Sequence, residues 1–314
     1  MKICIVGAGH MGRIHAQKLA RMKDIVLTCV IDANCAQAEE TARKCGAPWS
    51  DHYEQALSSG VEGVVIASTT ETHFAIARDF LQKGVHVFVE KPIAATPSEA
   101  TELITLAKKN RLILQVGHLE RFSPAFRKAR RMVGSPISIE AHRISVFTGR
   151  STDIDVVHDL MIHDIDLALS LNTSDIRRIF AQGAAVFTTK IDVANARIEF
   201  ADGCVATLTA SRVSGVRERL FKIVEKDRYF SLDLAAGHMF SIEKAPNNRK
   251  RTLTFKAARP DPVGDELKAF VGAVRGGTED IVDGEAGLRA LLVANRITAE
   301  IERRLSGGRK TAIE

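Results

Sequence analysis

The stretch KICIVGAGHMG, residues 2–12, decides how the first part of this chain folds. A short, β-branched apolar run stops at Gly7, and Gly9 and Gly12 complete a G-x-G-x-x-G spacing directly ahead of the helical pattern RIHAQKLARM at residues 13–22. Glycines there permit a tight turn, close approach of the backbone to a pyrophosphate, and close helix–strand packing. The helix N-terminus adds amide donors and a partial positive charge. The next apolar run, IVLTCVID at 25–32, ends on Asp32, about 20 residues past Gly12, where a carboxylate accepts hydrogen bonds from both hydroxyls of an adenosine ribose. Ala33 and Asn34 follow, with no Arg or Lys to take a 2′-phosphate, so the expected cofactor is NAD, held by Gly7, Gly9, His10, Met11, Gly12 and Asp32.

Outward from that turn, GVVIAST (63–69), HVFVEKP (86–92) and LILQVGH (112–118) read as further short, fully buried strands separated by helical patterns. Alternation of this kind predicts a doubly wound parallel sheet, an α/β Rossmann domain over residues 1–120. From about residue 136 the pattern changes to long period-two segments: ISIEAHRISVF (137–147), IRRIFAQGAAVFTT (176–189), VANARIEFADGCVATLTAS (193–211), RERLFKIVEKDRYFSLDL (217–234) and KRTLTFKA (250–257). They predict a large, mostly antiparallel open sheet in an α+β domain over residues 121–314, with a hairpin turn at Ala201–Gly203. Helical patterns at 264–277 and 284–305 close the chain.

With 314 residues the chain can bury two ordinary cores without a disulfide or metal staple. No apolar run is long enough to span a bilayer, and glycines interrupt the N-terminal run before it makes a signal sequence, so a cytoplasmic location is expected. Cys4, Cys29, Cys35, Cys45 and Cys204 include no C-x-x-C pair and read as reduced thiols. A formal charge of +6 is modest, and the basic runs lack interleaved aromatics, which argues against nucleic acid. Arg143, Arg150, Arg212 and Arg217 in the second domain favour a phosphorylated small substrate over a neutral one.

Two further segments carry chemistry. In VEKPIA (89–94), Glu90 and Lys91 close a parallel strand at its C-terminal end, where ligands sit in open α/β sheets; Pro92 keeps Lys91 out of the helical region and is able to adopt a cis bond in a tight turn. In DVVHDLMIHDIDLAL (155–169), α-helical spacing puts Asp159, His163 and Asp166 on one polar stripe beside an apolar face of Met161, Ile162, Ile165, Ala168 and Leu169. This segment alone also fits an acidic cap around a satisfied histidine. His158 and His163 are five apart, which does not fit the i, i+4 ligand pair of a zinc helix, so no metal is expected.

In this order and spacing, the glycine turn, Asp32, the EKP turn and the DxxxHxxD helix resemble the Gfo/Idh/MocA oxidoreductases. The resemblance runs through IASTTETHF (66–74), QVGHLERFSPAF (115–126) and GEAGLRALLVANRITAE (284–300). It implies cofactor contacts from Ser68, Thr69, His73, Glu90 and Lys91, and a catalytic group of Lys91, Asp159 and His163 that also binds substrate. The glycine-rich stretch usual just before the polar helix is replaced by STDIDVVHDLMIH (151–163). DLMIHDIDL (159–167) with GHLERF (117–122) is most similar to the branch that oxidises the C3 hydroxyl of UDP-N-acetylglucosamine-type nucleotide sugars to 3-keto sugars, the substrate of an aminotransferase in amino-sugar and lipid A synthesis. Alternative readings are a dehydrogenase of a free sugar or cyclitol such as myo-inositol, and a catalytically silent NAD-sensing protein. For the oxidation, His163 is the expected general base, Lys91 the cation on the reacting oxygen, and Asp159 the orienting group, with Lys91 as the alternative proton acceptor. Arg121 is a candidate for an anionic substrate group or else a surface arginine. An open sheet face usually needs covering, so a homodimer or homotetramer is expected.

Overall fold

A computed structural model describes residues 1–149, 152–278 and 280–307; Arg150 lies outside the described residues. The chain divides into two compact units, Met1–Leu119 with Asp261–Leu288, and Glu120–Pro260 with the residues from Arg289 onward.

The first unit holds β1 (Lys2–Val6), β2 (Val26–Ile31), β3 (Trp49–Ser50), β4 (Gly63–Ile66), β5 (His86–Glu90) and β6 (Leu114–Gly117). All pair in parallel, in the order β3-β2-β1-β4-β5-β6. Parallel strands with both faces covered must be apolar on both faces, hence the unbroken buried runs. Helices α1 (His10–Leu19), α2 (Cys35–Cys45), α3 (Thr70–Gln82) and α4 (Pro97–Asn110) connect them. Their ends are set locally: the Asn34 side chain accepts the Gln37 N–H at 3.2 Å to start α2, which stops at Gly46 with φ 66°, and Thr96 with Glu99 forms a reciprocal cap on α4. Strand β3 went unread in the sequence because two residues carry no periodicity.

The second unit begins with α5 (Pro124–Arg130) and β7 (Ser138–Ile144). A turn of π-helix, Val157–Met161, leads into α6 (Ile162–Leu171). Strands β8 (Ile176–Ala184), β9 (Val193–Phe200), β10 (Val205–Ser211), β11 (Glu218–Val224), β12 (Arg228–Asp233), β13 (His238–Lys244) and β14 (Lys250–Lys256) follow. The sheet order is β14-β13-β12-β11-β7-β10-β9-β8, antiparallel throughout except between β7 and β10. Alternate residues such as Ile139, Ala141, Phe221 and Ile223 point into one core with Ile162 and Ile165 of α6. The Ala201–Gly203 hairpin turn forms as read, with Gly203 at φ 92°. Strand β13 was hidden because its inward positions are Met239 and Ser241 while Phe240 is exposed, which reverses the expected alternation.

The expected division at residues 120 and 121 needs one correction. α7 (Pro262–Val274) and the start of α8 (Gly284–Gly307) belong to the first unit, not the second. The reason is apolar: Leu267, Phe270 and Val271 complete the core of Ile3, Ile5, Val65 and Phe88, and the Phe88 and Phe270 rings meet edge to face at 5.9 Å. The Val116 N–H donates to the Val282 carbonyl at 2.8 Å, extending the sheet edge into this returning segment. Truncating Phe270→Ala is therefore expected to lower stability by about 3–5 kcal/mol, the range for losing a fully buried aromatic. Denaturant unfolding checks it, and a loss below about 1 kcal/mol would place α7 outside the core.

Candidate active site

At the C-terminal ends of β1, β2 and β4 the first unit opens a groove of about 600 Å³, lined by Gly7, Gly9, Asp32, Ser68 and Thr69 among others. The three glycines do different work. Gly7 has φ 101°, and a Cβ there would lie 2.4 Å from the Ala67 carbonyl; a Cβ on Gly12 would sit 1.7 Å from the Gly7 oxygen. A Cβ on Gly9 would meet nothing within 4 Å, so that side of the turn is open for a ligand. Asp32 Oδ2 accepts the Ala8 N–H at 2.6 Å and Oδ1 the Asn34 N–H at 2.8 Å, which fixes the carboxylate at the rim. This cradle fits a dinucleotide: amides and open space where phosphates go, an acid where ribose hydroxyls go. His10 and Met11 occupy the first turn of α1, exposed and half-buried.

Beside it, β5 ends in Glu90, and the Lys91–Pro92 peptide is cis. Glu90 is buried, with Oε1 2.7 Å from His15 Nε2 and Oε2 accepting the Lys91 N–H at 3.3 Å. Burial alone raises a carboxyl, but the hydrogen bond and charge of His15, reinforced by Lys91, hold Glu90 below the usual carboxylate range. Gly117 gives it room, since a Cβ there would be 2.9 Å from Glu90 Oε2. His73 is buried too: Nδ1 lies 2.9 Å from the Pro92 carbonyl and Nε2 3.2 Å from that of Ser68. Burial depresses its pKa despite those carbonyls, and since a neutral ring carries a single N–H it donates to only one of the two carbonyls while packing between the EKP turn and the Ser68 loop. Glu90 and His73 thus position Lys91 and Ser68 from beneath. Lys91 itself is half-buried.

The second unit shows why its polar helix tolerates so much charge. Arg143, 4% exposed, forks Asp164 of α6 at 2.8 and 2.9 Å and reaches Glu120 at 2.8 Å, while Arg121 forks Asp166 with two bonds of 2.7 Å. Burial would discharge a guanidinium, but Asp164 and Glu120 push the Arg143 pKa up instead. Asp155 bonds the Val157 and His158 N–H groups at 2.8 and 3.0 Å and His158 Nδ1 at 2.8 Å, starting the π turn. His163 is 8% exposed and Asp159 half-buried. The single stripe of Asp159, His163 and Asp166 therefore needs correcting. Asp159 lies in a π turn, whose i→i+5 bonding puts more residues in a turn and shifts it from α-helical phase, and Asp166 is consumed by Arg121. Two arginines also change role. Arg121 is neither a surface arginine nor open to an anion through the atoms that grip Asp166, and Arg143 is internal. Arg212 is likewise buried on Asp192 at 2.7 Å; Arg217 remains exposed.

Sequence reading missed Asp51, Tyr53 and Glu71, which line the same groove as Asp32. Asp51 follows β3 directly, so the rule that ligands meet the C-terminal ends of parallel strands would have found it had β3 been recognised. His15, Glu120 and Asp164 gave no signal, because their partners are remote in sequence.

Two family profiles match this chain: the oxidoreductase family NAD-binding Rossmann fold at residues 1–118 and the GFO/IDH/MocA C-terminal domain at 129–228. The chain is 36% identical over 313 residues to UDP-N-acetylglucosamine 3-dehydrogenase of Acidithiobacillus ferrooxidans, covering 96% of this chain and 97% of that one. A solved structure of that enzyme matches with a TM-score of 0.90 over 96% of this chain and 98% of the other. Myo-inositol 2-dehydrogenase of Thermotoga maritima is 26% identical over 326 residues, 98% of each chain. The scyllo-inositol dehydrogenase of Lactobacillus casei, solved with NAD(H) and scyllo-inositol, shares the fold at a TM-score of 0.80, with 20% identity over 97% of both chains. This chain belongs to the Gfo/Idh/MocA oxidoreductase family. It is an NAD-dependent dehydrogenase acting on a CH–OH group.

The acids that line the groove give an expectation for cofactor preference. A 2′-phosphate would meet Asp32, with Asp51 and Glu71 lining the same groove, so NADH is expected to bind more tightly than NADPH by about 1–3 kcal/mol. Titrating the purified protein with each reduced cofactor measures this, and equal affinities would remove Asp32 from that role.

Proposed function

We propose that this enzyme oxidises the C3 hydroxyl of a UDP-N-acetylglucosamine-type nucleotide sugar to the 3-keto sugar. The observation that carries the reading is the 36% identity, spread over 96% of the chain, to a UDP-N-acetylglucosamine 3-dehydrogenase. When bound, NAD supplies the two-electron acceptor. His163 takes the hydroxyl proton, imidazole being a side chain suited to act as general base. Lys91 donates a hydrogen bond to the reacting oxygen and stabilises its developing negative charge, and Asp159 orients the sugar. His73 and Glu90, both buried beside the EKP turn, support this by holding the backbone that carries Lys91. The same proposal includes an aminotransferase that consumes the keto product, and a homodimer or homotetramer built on the outer face of the second unit's sheet. That face carries half-exposed Glu140 and His142, 3.0 Å apart. Relatives that act on inositols keep a cyclitol substrate as the second reading.

With UDP-N-acetylglucosamine the protein is expected to reduce NAD, or to accumulate bound NADH where release is slow, and to do far less with N-acetylglucosamine, glucose or myo-inositol. Remote uridine and phosphate groups supply binding energy that a cyclitol lacks. Robust turnover of myo-inositol with none of the nucleotide sugar would replace the first reading by the second.

His163→Asn is expected to fold and bind NADH normally while turnover falls roughly 10²–10⁴-fold, the range for a lost general base. Stopped-flow measurement of NADH formation tests it. A variant that misfolds, with its folded fraction fully active, would mean the histidine serves only packing.

A further inference from the structure

The second unit contains a cavity of about 520 Å³ that no step above uses, and its size suits a nucleotide. It opens at the N-terminal end of β11 and is lined by Arg217, Arg219, Leu220, Ile144 and Leu160, the last being the residue after Asp159 in the π turn. Of the basic residues that pointed to an anionic substrate in the sequence, Arg143 and Arg212 are buried on carboxylates. The cation density available to a ligand here is that of Arg217 and Arg219. Arg217 is exposed and has no carboxylate partner among the described residues. The Arg219 side chain is 51% exposed, and its one ion-pair contact among the described residues is Nη1 at 3.4 Å from Glu120, a carboxylate that shares the single guanidinium of Arg143 with Asp164. The acids lining the cavity are engaged elsewhere. Glu218 lies 3.3 Å from His142 Nδ1, and Asp233 accepts the Ala236 N–H at 2.9 Å.

We infer that Arg217 and Arg219 form the subsite for the diphosphate of the nucleotide sugar; this rests on the substrate class proposed above. Two guanidiniums two residues apart on one chain are spaced on the order of 7 Å at their backbones, so they can bracket successive phosphates with forked, charge-assisted bonds. Leu160, Leu220 and Ile144 give the cavity apolar walls for the attached rings. The chain from Arg219 through Glu120 and Arg143 to Asp164 links this subsite to the helix that bears His163.

Calorimetric titration of UDP, and of uridine as the phosphate-free control, into the NAD-saturated protein tests the subsite independently of turnover. UDP is expected to bind at least 100-fold more tightly than uridine. Arg217→Ala, at an exposed position, is expected to weaken UDP at least 10-fold while leaving NADH and uridine affinity unchanged. Arg219→Gln, which keeps a donor for Glu120, is expected to do the same. Wild-type affinity for UDP in both variants, or UDP binding no tighter than uridine, overturns the proposal. Turnover of UDP-N-acetylglucosamine by the wild type reports separately on the substrate. Arginine-dependent UDP binding without turnover would keep the subsite and discard the substrate, and turnover with unaffected variants would do the reverse.

Discussion

A carboxylate removed from water must find a cation or a set of N–H donors, and that requirement organises both units of this enzyme. In the first, Glu90 is buried at the end of the strand that bears Lys91 and is satisfied by His15 of α1. In the second, Glu120 and Asp164 share Arg143, Asp166 takes Arg121, and Asp192 takes Arg212. Asp192 also collects the Val186, Phe187 and Thr188 N–H groups at 2.7–2.9 Å, which hold its carboxyl far below the usual range although burial raises it. Removing one member of such a pair strands a buried charge, at about 3–5 kcal/mol. These pairs therefore specify where helices and strands meet, beyond what apolar contact alone does.

The consequence for catalysis is division of labour. The groups proposed to touch the reacting sugar are few, with Lys91 and Asp159 half-buried and His163 8% exposed, while the side chains that support them are buried or nearly so. His73 packs between the Pro92 and Ser68 carbonyls with an N–H for one of them, and Arg121 and Arg143 clamp the helix that follows Asp159. A π turn at Val157–Met161 sits where the helix enters, and Asp155 and His158 stabilise it, with His158 Nε2 2.8 Å from Asn295 Oδ1. Such insertions adjust the phase of side chains by a fraction of a turn, and they occur often at functional sites.

Local chemistry made the nucleotide-binding unit readable from the chain alone. Gly7 and Gly12 can be replaced by no other residue, because Cβ atoms there would overlap backbone atoms, while Gly9 leaves open the side of the turn that faces the groove. Asp32 and the EKP turn follow at strand ends that apolar runs mark clearly. Antiparallel pairing in the second unit was readable from period-two alternation, except at β13, where the inward positions include a serine. The NAD cofactor was legible for the same reason, since it depends on short contiguous motifs, and the class of reaction followed from the family that those motifs together resemble.

What tertiary structure alone decided is everything set by partners far apart in the chain. Whether an arginine meets solvent or a buried acid cannot be read from its neighbours: Arg121 pairs across 45 residues, Arg143 across 21 and 23. The same holds for Asp261–Leu288, whose helical pattern is plain in sequence but whose return to the first unit depends on the empty place beside Phe88 that Phe270 fills. Periodicity reports that a face is apolar, and it carries no information about which core will receive it. Charge follows the same logic more severely, since one sequence pattern serves for a solvated acid and for a buried one, and only the arrival of a distant guanidinium distinguishes them.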